Sequence, residues 1–294
     1  MISASQVKEL REATGAGMMD CKKALVETNG NFDEAVTWLR EKGIMKAAKK
    51  ESRIAAEGIC KISIDGNKAV VFEVNSETDF VAKNEKFQAL VEKIGQAILN
   101  SNAKNDSEAL EIVTPEGTVK DLIINLTATI GEKISLRRVN VIEKTDSQVF
   151  GAYSHMGGKI VALSILEGGT PEVAKDVCMH VAAMSPKFLD KTKVDSDFLA
   201  KESEILKQEA INAGEFNGKP EAIIDKIMIG KVNKMLKGIC LVDQEFVKNP
   251  DLTVGQYVQN NHSAIVSYIR LEVGEGIEKR KDDFVAEVMA AVKQ

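Results

Sequence analysis

The sequence predicts an α+β fold, and three observations carry that reading. Apolar residues recur at helical spacing through roughly the first 45 positions. A strand-strand-helix-helix-strand order then occurs twice, and the second occurrence is interrupted by two helical segments joined through a glycine-containing break. The 294 residues suffice for about two domains and a sizeable core without disulfide or metal staples.

At the N-terminus, Ser3 and Gln6 form a capping box for a helix carrying Val7, Leu10 and Ala13, which Thr14-Gly15-Ala16-Gly17 breaks. A second helix from about Met19 to Thr28 buries Cys21, Ala24 and Leu25 and stops at Asn29-Gly30. Asn31 and Glu34 open a third, with Phe32, Ala35, Val36 and Leu39 on one stripe and Gly43 where a left-handed C-terminal residue belongs. Beyond it, Lys42, Lys46, Lys49, Lys50 and Arg53 face a single acid, Glu51, among alanines, a composition expected of a solvated helical linker. A three-helix bundle with its linker is thus expected over 1–54.

The next domain, expected over 55–145, opens with a hairpin. Ile59 to Ile64 and Lys68 to Val74 flank the turn signal Asp65-Gly66-Asn67. A polar stretch, 75–79, leads to an amphipathic helix marked by Phe87, Leu90, Val91, Ile94 and Ile98, then to a helix from about Val119 to Ile130 and an alternating strand, Ile134 to Ile142. The same order recurs over 146–190 and 238–274. Ala152 to His155 and Ile160 to Leu166 form a hairpin around Gly157-Gly158, Val173, Val177, Val181 and Met184 mark a helix, and Val266 to Val273 closes the unit. The two closing strands align, 135–141 beside 267–273, with serine, arginine and the final valine coinciding, and Thr118-Val119 and Thr253-Val254 precede them. Duplicated antiparallel-sheet subdomains are the expectation.

The insertion, 191–237, carries Phe198, Leu199, Ile205 and Leu206 on one segment and Ile223, Ile224, Ile227, Met228, Met235 and Leu236 on the next. The pattern is that of an antiparallel helical hairpin, which either serves a contact or packs back on the core. The end module, 275–294, begins a helix at Asp282-Asp283 with Phe284, Val288, Ala291 and Val292 on one face.

Composition narrows the function. A formal net charge of -5 is a poor basis for a dedicated nucleic-acid binder, whose affinity comes largely from neutralising phosphates. Cys21, Cys60, Cys178 and Cys240 show no zinc spacing and read as reduced, mostly buried thiols. The first residues lack the apolar run of a signal peptide, and no window approaches the roughly 18 apolar residues of a membrane span, so a cytoplasmic protein without membrane contact is expected.

Catalytic groups do not assemble. His155, His180 and His262 lie in separate elements without metal-ligand spacing, and His180, inside an apolar helix, reads as a hydrogen-bonded structural residue. No G-x-S-x-G elbow occurs, and the Gly-Lys pairs at 158–159, 218–219 and 230–231 lack the rest of a phosphate loop. No catalytic residue, metal, cofactor or direct nucleotide binding is therefore expected. Exposed apolar residues in polar surroundings stand out instead. Phe80 follows Glu77-Thr78-Asp79 and precedes the helix stripe that begins at Phe87; it is either a contact residue or a hydrophobic staple. Met18 and Met19 cannot both face a small core, and flexible thioethers suit an adaptable contact. These features favour a binding protein over an enzyme.

The segments that contain them, 10–25 (LREATGAGMMDCKKAL) and 73–83 (EVNSETDFVAK), resemble the signature segments of translation elongation factor Ts. Ile130-Gly131-Glu132, Arg137-Arg138-Val139, Met179-His180-Val181-Ala182-Ala183, Gln244-Glu245-Phe246-Val247 and residues 269–279 match in the same order. The resemblance implies a guanine-nucleotide exchange factor for elongation factor Tu, the GTPase that carries aminoacyl-tRNA to the ribosome. It also implies a ubiquitin-associated-type N-terminal bundle, two related core subdomains, a helical hairpin and a C-terminal helix lying on the partner. By the same resemblance Thr78, Asp79, Phe80 and Val81 intrude beside the partner's magnesium and phosphates, Met18 and Met19 grip its G domain, Ile130 and Gly131 add contacts, and His155 faces another partner domain. Lys159 stands where an arginine is common in that family. In parts of the family the hairpin pairs two copies, so a homodimer through it is the corresponding expectation. The alternative function is a ribosome- or RNA-associated module using the basic stretch 42–53.

Overall fold

A computed structural model of the chain describes residues 2–278, and its architecture is the α+β one predicted. Helix α1 (Ala4–Thr14) starts at the capping box: the Ser3 hydroxyl accepts from Gln6 N while the Gln6 amide oxygen accepts from Ser3 N. Gly15, in a left-handed conformation, closes it. Helix α2 (Met18–Glu27) follows at once, one residue earlier than expected, so both Met18 and Met19 open the helix. Val7, Leu10, Cys21, Ala24, Leu25 and Ala35 form the small core that α1 and α2 share with α3 (Phe32–Ala48).

Helix α3 departs from expectation. It does not end near Gly43 but runs on through the supposed linker to Ala48. The reason is tertiary: this half of α3 packs along α7 (Val119–Ile130). Gly43 is buried, with the Ala128 Cβ 3.6 Å from where its own Cβ would stand, and Arg40 pairs with Asp121 at 2.7 Å. A glycine read as a terminator is a packing glycine.

Strands β1 (Glu57–Asp65) and β2 (Lys68–Ser76) pair antiparallel from Asp65↔Lys68 to Glu57↔Ser76 around a two-residue turn. One turn of helix, α4 (Asp79–Ala82), and the amphipathic α5 (Glu85–Leu99) follow. Next come α6 (Asp106–Leu110), a small hairpin of β3 (Val113–Thr114) and β4 (Gly117–Thr118), and α7. Strand β5 (Ser135–Glu143) then joins β2, giving the sheet order β1-β2-β5. Phe72, Phe87, Ile94, Ile98, Val119 and Leu136 anchor the core between this sheet and its helices.

The second copy repeats the plan. Strands β6 (Gln148–His155) and β7 (Ile160–Gly168) form an antiparallel hairpin, and α8 (Pro171–Met184) packs on it so closely that a Cβ on Gly151 would stand 2.2 Å from the Ala174 carbonyl carbon. The insertion is an α-hairpin, α9 (Ser196–Asn212) and α10 (Glu221–Ile239). A small hairpin, β8 (Glu245–Phe246) with β9 (Asn249–Thr253), helix α11 (Val254–Asn260) and strand β10 (Ser263–Glu272) complete the copy, with sheet order β10-β7-β6. Leu166, Val177, Leu241, Phe246 and Val254 centre its core.

Contacts divide the described chain into two units, residues 2–142 with 156–159 and 271–278, and residues 143–155 with 160–270. The C-terminal helix expected from Asp282 lies outside the described residues.

Candidate functional site

Strand β2 ends buried at Ser76, whose hydroxyl donates to Thr78 O at 2.9 Å, and the chain turns directly into α4. The turn sorts its side chains sharply. Val81 and Ala82 are 8% and 6% exposed and belong to the core of the first unit, whereas Phe80 is 80% exposed. Asp79 is half-exposed and ion-paired with Lys83 at 2.7 Å; the hydrogen bond from that ammonium holds its carboxyl below the usual carboxylate value, so it stays ionised. The half-buried Thr78 gives both its N–H (2.9 Å) and its hydroxyl (2.7 Å) to the carboxylate of Glu132. Glu132 follows Gly131, the left-handed cap of α7, and Ile130, which packs against the same core. Thr78 to Val81 and Ile130-Gly131 are thus brought together in one unit.

Met18 and Met19, 58% and 73% exposed, line a groove of about 890 Å³ with Ile2 and Val7, edged by Lys8 and Arg11. In the second unit, His155 is exposed at the end of β6, and its Nδ1 lies 3.1 Å from the Tyr153 hydroxyl. Among the described residues no group of His, Cys, Asp and Glu is arranged to hold a metal ion, and no helix is long and apolar enough to cross a membrane.

A family model described as Elongation factor TS matches residues 77–275, from the foot of α4 onward. The elongation factor Ts of Acholeplasma laidlawii (strain PG-8A) is 52% identical over 294 residues, all of this chain and 99% of that protein. The chain belongs to the elongation factor Ts family. The elongation factor Ts of Limosilactobacillus reuteri (strain DSM 20016) is likewise 52% identical over 287 residues, 98% of this chain and 97% of that protein. By family, then, this is a translation elongation factor.

Segments that first carried the resemblance to elongation factor Ts, scattered along the sequence, meet in two buried polar clusters. In the second unit His180, fully buried, receives a hydrogen bond from Val247 N at Nδ1 (3.3 Å), so its Nε2 carries the proton and donates to Gln244 Oε1 (2.9 Å). Gln244 in turn donates to Gly238 O at 2.7 Å. Burial holds this imidazole below its ordinary pKa, hence neutral. In the first unit the carboxylate of Glu73, fully buried on β2, accepts from Arg138 Nε (2.8 Å), Asn75 Nδ2 (2.7 Å) and Gly274 N (2.7 Å), while Arg138 also pairs with Glu275 at 2.8 Å. Both clusters are structural.

The sequence reading gave no role to Glu132, Glu77 or Lys133. Thr78 and Glu132 are 54 positions apart, and no local pattern couples them. Two signals were available: Glu132 follows directly on the glycine cap of a well-defined helix, and it closes the matching segment Ile130-Gly131-Glu132.

Proposed function

We propose that this protein is a guanine-nucleotide exchange factor that binds elongation factor Tu with GDP and promotes GDP release. The observation that supports it best is Phe80: an aromatic ring almost wholly in solvent, on a helical turn whose next two residues are locked into the core. An exposed aromatic on a rigid base is the kind of residue that anchors a protein interface. On this reading Phe80 enters the partner beside its magnesium and phosphate site, and the ionised Asp79 disturbs the ion there. Thr78 and Val81 act from below, Thr78 through its bonds to Glu132 and Val81 through the core. Met18 and Met19 dock the groove of the N-terminal bundle on the partner, Ile130 and Gly131 flank the wedge, and His155 meets a further partner surface. The α9–α10 hairpin, with Ile211 and Ile229 exposed, is the surface for pairing of two copies.

The mechanism is linkage. A factor that binds the nucleotide-free GTPase better than the nucleotide-bound form weakens nucleotide binding by the same free energy. No covalent step and no cofactor on this chain are required, so the protein is not an enzyme in the chemical sense. A magnesium ion is often the largest local charge in a phosphate site, which makes it the effective point to disturb.

The alternative of an RNA-associated module loses support from the basic stretch itself. Lys46 is paired with Asp20 at 2.8 Å, Lys50 donates to Gly131 O, and Arg53 contacts Glu77. These cations are engaged within the chain. The deciding test is release of labelled GDP from elongation factor Tu with and without this protein: acceleration supports exchange, and an unchanged rate sinks it.

A further inference from the structure

Phe80 projects from a helix of four residues, which has no stability of its own. Its direction is therefore set by what holds the ends of α4. Val81 and Ala82 hold one end in the core. At the other, Thr78 occupies the N-cap position, where a threonine hydroxyl ordinarily accepts from the first turn, yet it makes no such cap. Its N–H and hydroxyl both go to Glu132 instead. One residue earlier the exchange is returned: Glu77 Oε1 accepts from Lys133 N at 2.6 Å. Two carboxylates thus cross between two turns, each taking a backbone N–H of the other.

This clasp is tied to the turn that follows α3. Lys50 Nζ donates to Gly131 O at 2.7 Å, Lys133 Nζ donates to Glu51 O, and Arg53 Nη1 reaches both oxygens of Glu77 at 3.3 Å. We propose that Glu132 is the positioning residue for Phe80, and that the turn after α3 steadies it, so that the seating of the N-terminal bundle is transmitted to the Phe80 ring. The inference rests on the reading of Phe80 as the residue that drives exchange. Its chemistry is ordinary: a half-buried carboxylate with two charge-assisted hydrogen bonds fixes a donor pair far better than water does.

The four cysteines are buried, so a nitroxide attached through Phe80→Cys in the full chain reports on that position alone. Glu132→Ala is expected to make that label visibly more mobile and, with Phe80 intact, to lower stimulated GDP release between about tenfold and a hundredfold. Glu132→Gln retains one acceptor oxygen for Thr78 and should recover much of both. Added to Phe80→Ala, Glu132→Ala should reduce release no further, because one acts through the other. If Glu132→Ala does not fold, Thr78→Val, which deletes only the hydroxyl bond, carries the same comparison with smaller losses. Unaltered label mobility, or losses from Glu132 and Phe80 that multiply, would overturn the proposal. Wild-type release by Phe80→Ala would instead remove the wedge reading, while label mobility would still decide whether Glu132 positions residue 80.

Discussion

At Phe80 the chain leaves an aromatic side chain free of any packing task of its own. Its ring is exposed and leaves no cavity when removed, so Phe80→Ala should leave the melting temperature almost unchanged. If the ring fills a partner pocket, the same change removes roughly 2 to 4 kcal/mol of interaction, a loss of well over tenfold in stimulated GDP release. A lower melting temperature with intact release per folded molecule would restore the staple alternative. The opposite case is His180, enclosed and neutral. Its folded pKa lies below the unfolded value of about 6.5, so the unfolded chain takes up the proton first and stability falls as pH drops below that value. Urea unfolding at pH 7.5 and 5.5 should show the drop, and His180→Gln should flatten it. The buried, hydrogen-bonded place of His180 was legible from its apolar helix, and the exposure of Phe80 from its polar flanks. Glu132 was not, because its meaning depends on a residue 54 positions away.

Helix ends were the easiest elements to read, since caps are local. The Ser3–Gln6 box and Asn31 with Glu34 mark helix starts that the structure shows. Helix α3 was harder. A glycine followed by basic residues looks like a stop, and only the neighbouring α7 reveals it as an interior contact. That contact makes a further prediction. A methyl group at position 43 would meet the Ala128 Cβ at 3.6 Å, an ordinary packing distance, and alanine is the better helix former. Gly43→Ala should therefore stabilise the protein by about 0.5 to 1 kcal/mol. Calorimetry would check this, and a fall in melting temperature would show that α3 needs closer approach than it now makes. The small hairpins β3–β4 and β8–β9 leave no periodicity to detect, because three of their strands have two residues and the fourth, β9, reads Asn-Pro-Asp-Leu-Thr without apolar alternation.

At the scale of the whole chain, the duplication was legible in seven aligned residues and two Thr-Val pairs. In the structure each pair opens a helix with a reciprocal capping box, Thr118 with Asp121 and Thr253 with Gln256. In each copy the closing strand joins the second strand of the hairpin. What holds the first unit shut was not legible. A glutamate at position 73 reads as one more polar residue in a strand, yet it is the fully buried centre to which Arg138 and the backbone of Gly274 attach. Gly274 can approach because it has no side chain: a Cβ there would stand 2.3 Å from Ala56 O, on a backbone with φ +77°. Glu73→Ala strands a partly buried guanidinium and should cost about 3 kcal/mol in urea unfolding. Glu73→Gln keeps acceptors for Asn75 and Gly274 and should cost less; equal costs would place the penalty on packing.

The Glu73 cluster also orders events during synthesis. Gly274 follows Glu73 by 201 positions. At roughly 5 to 20 residues per second, a ribosome needs about 10 to 40 s to supply that last donor. During that interval the carboxylate has only its earlier partners, and the sheet around it is a nascent structure with its final latch still unmade. Completion of the first unit is thereby deferred until almost the whole polypeptide has been translated, so a message truncated before codon 274 yields a first unit that lacks this closure.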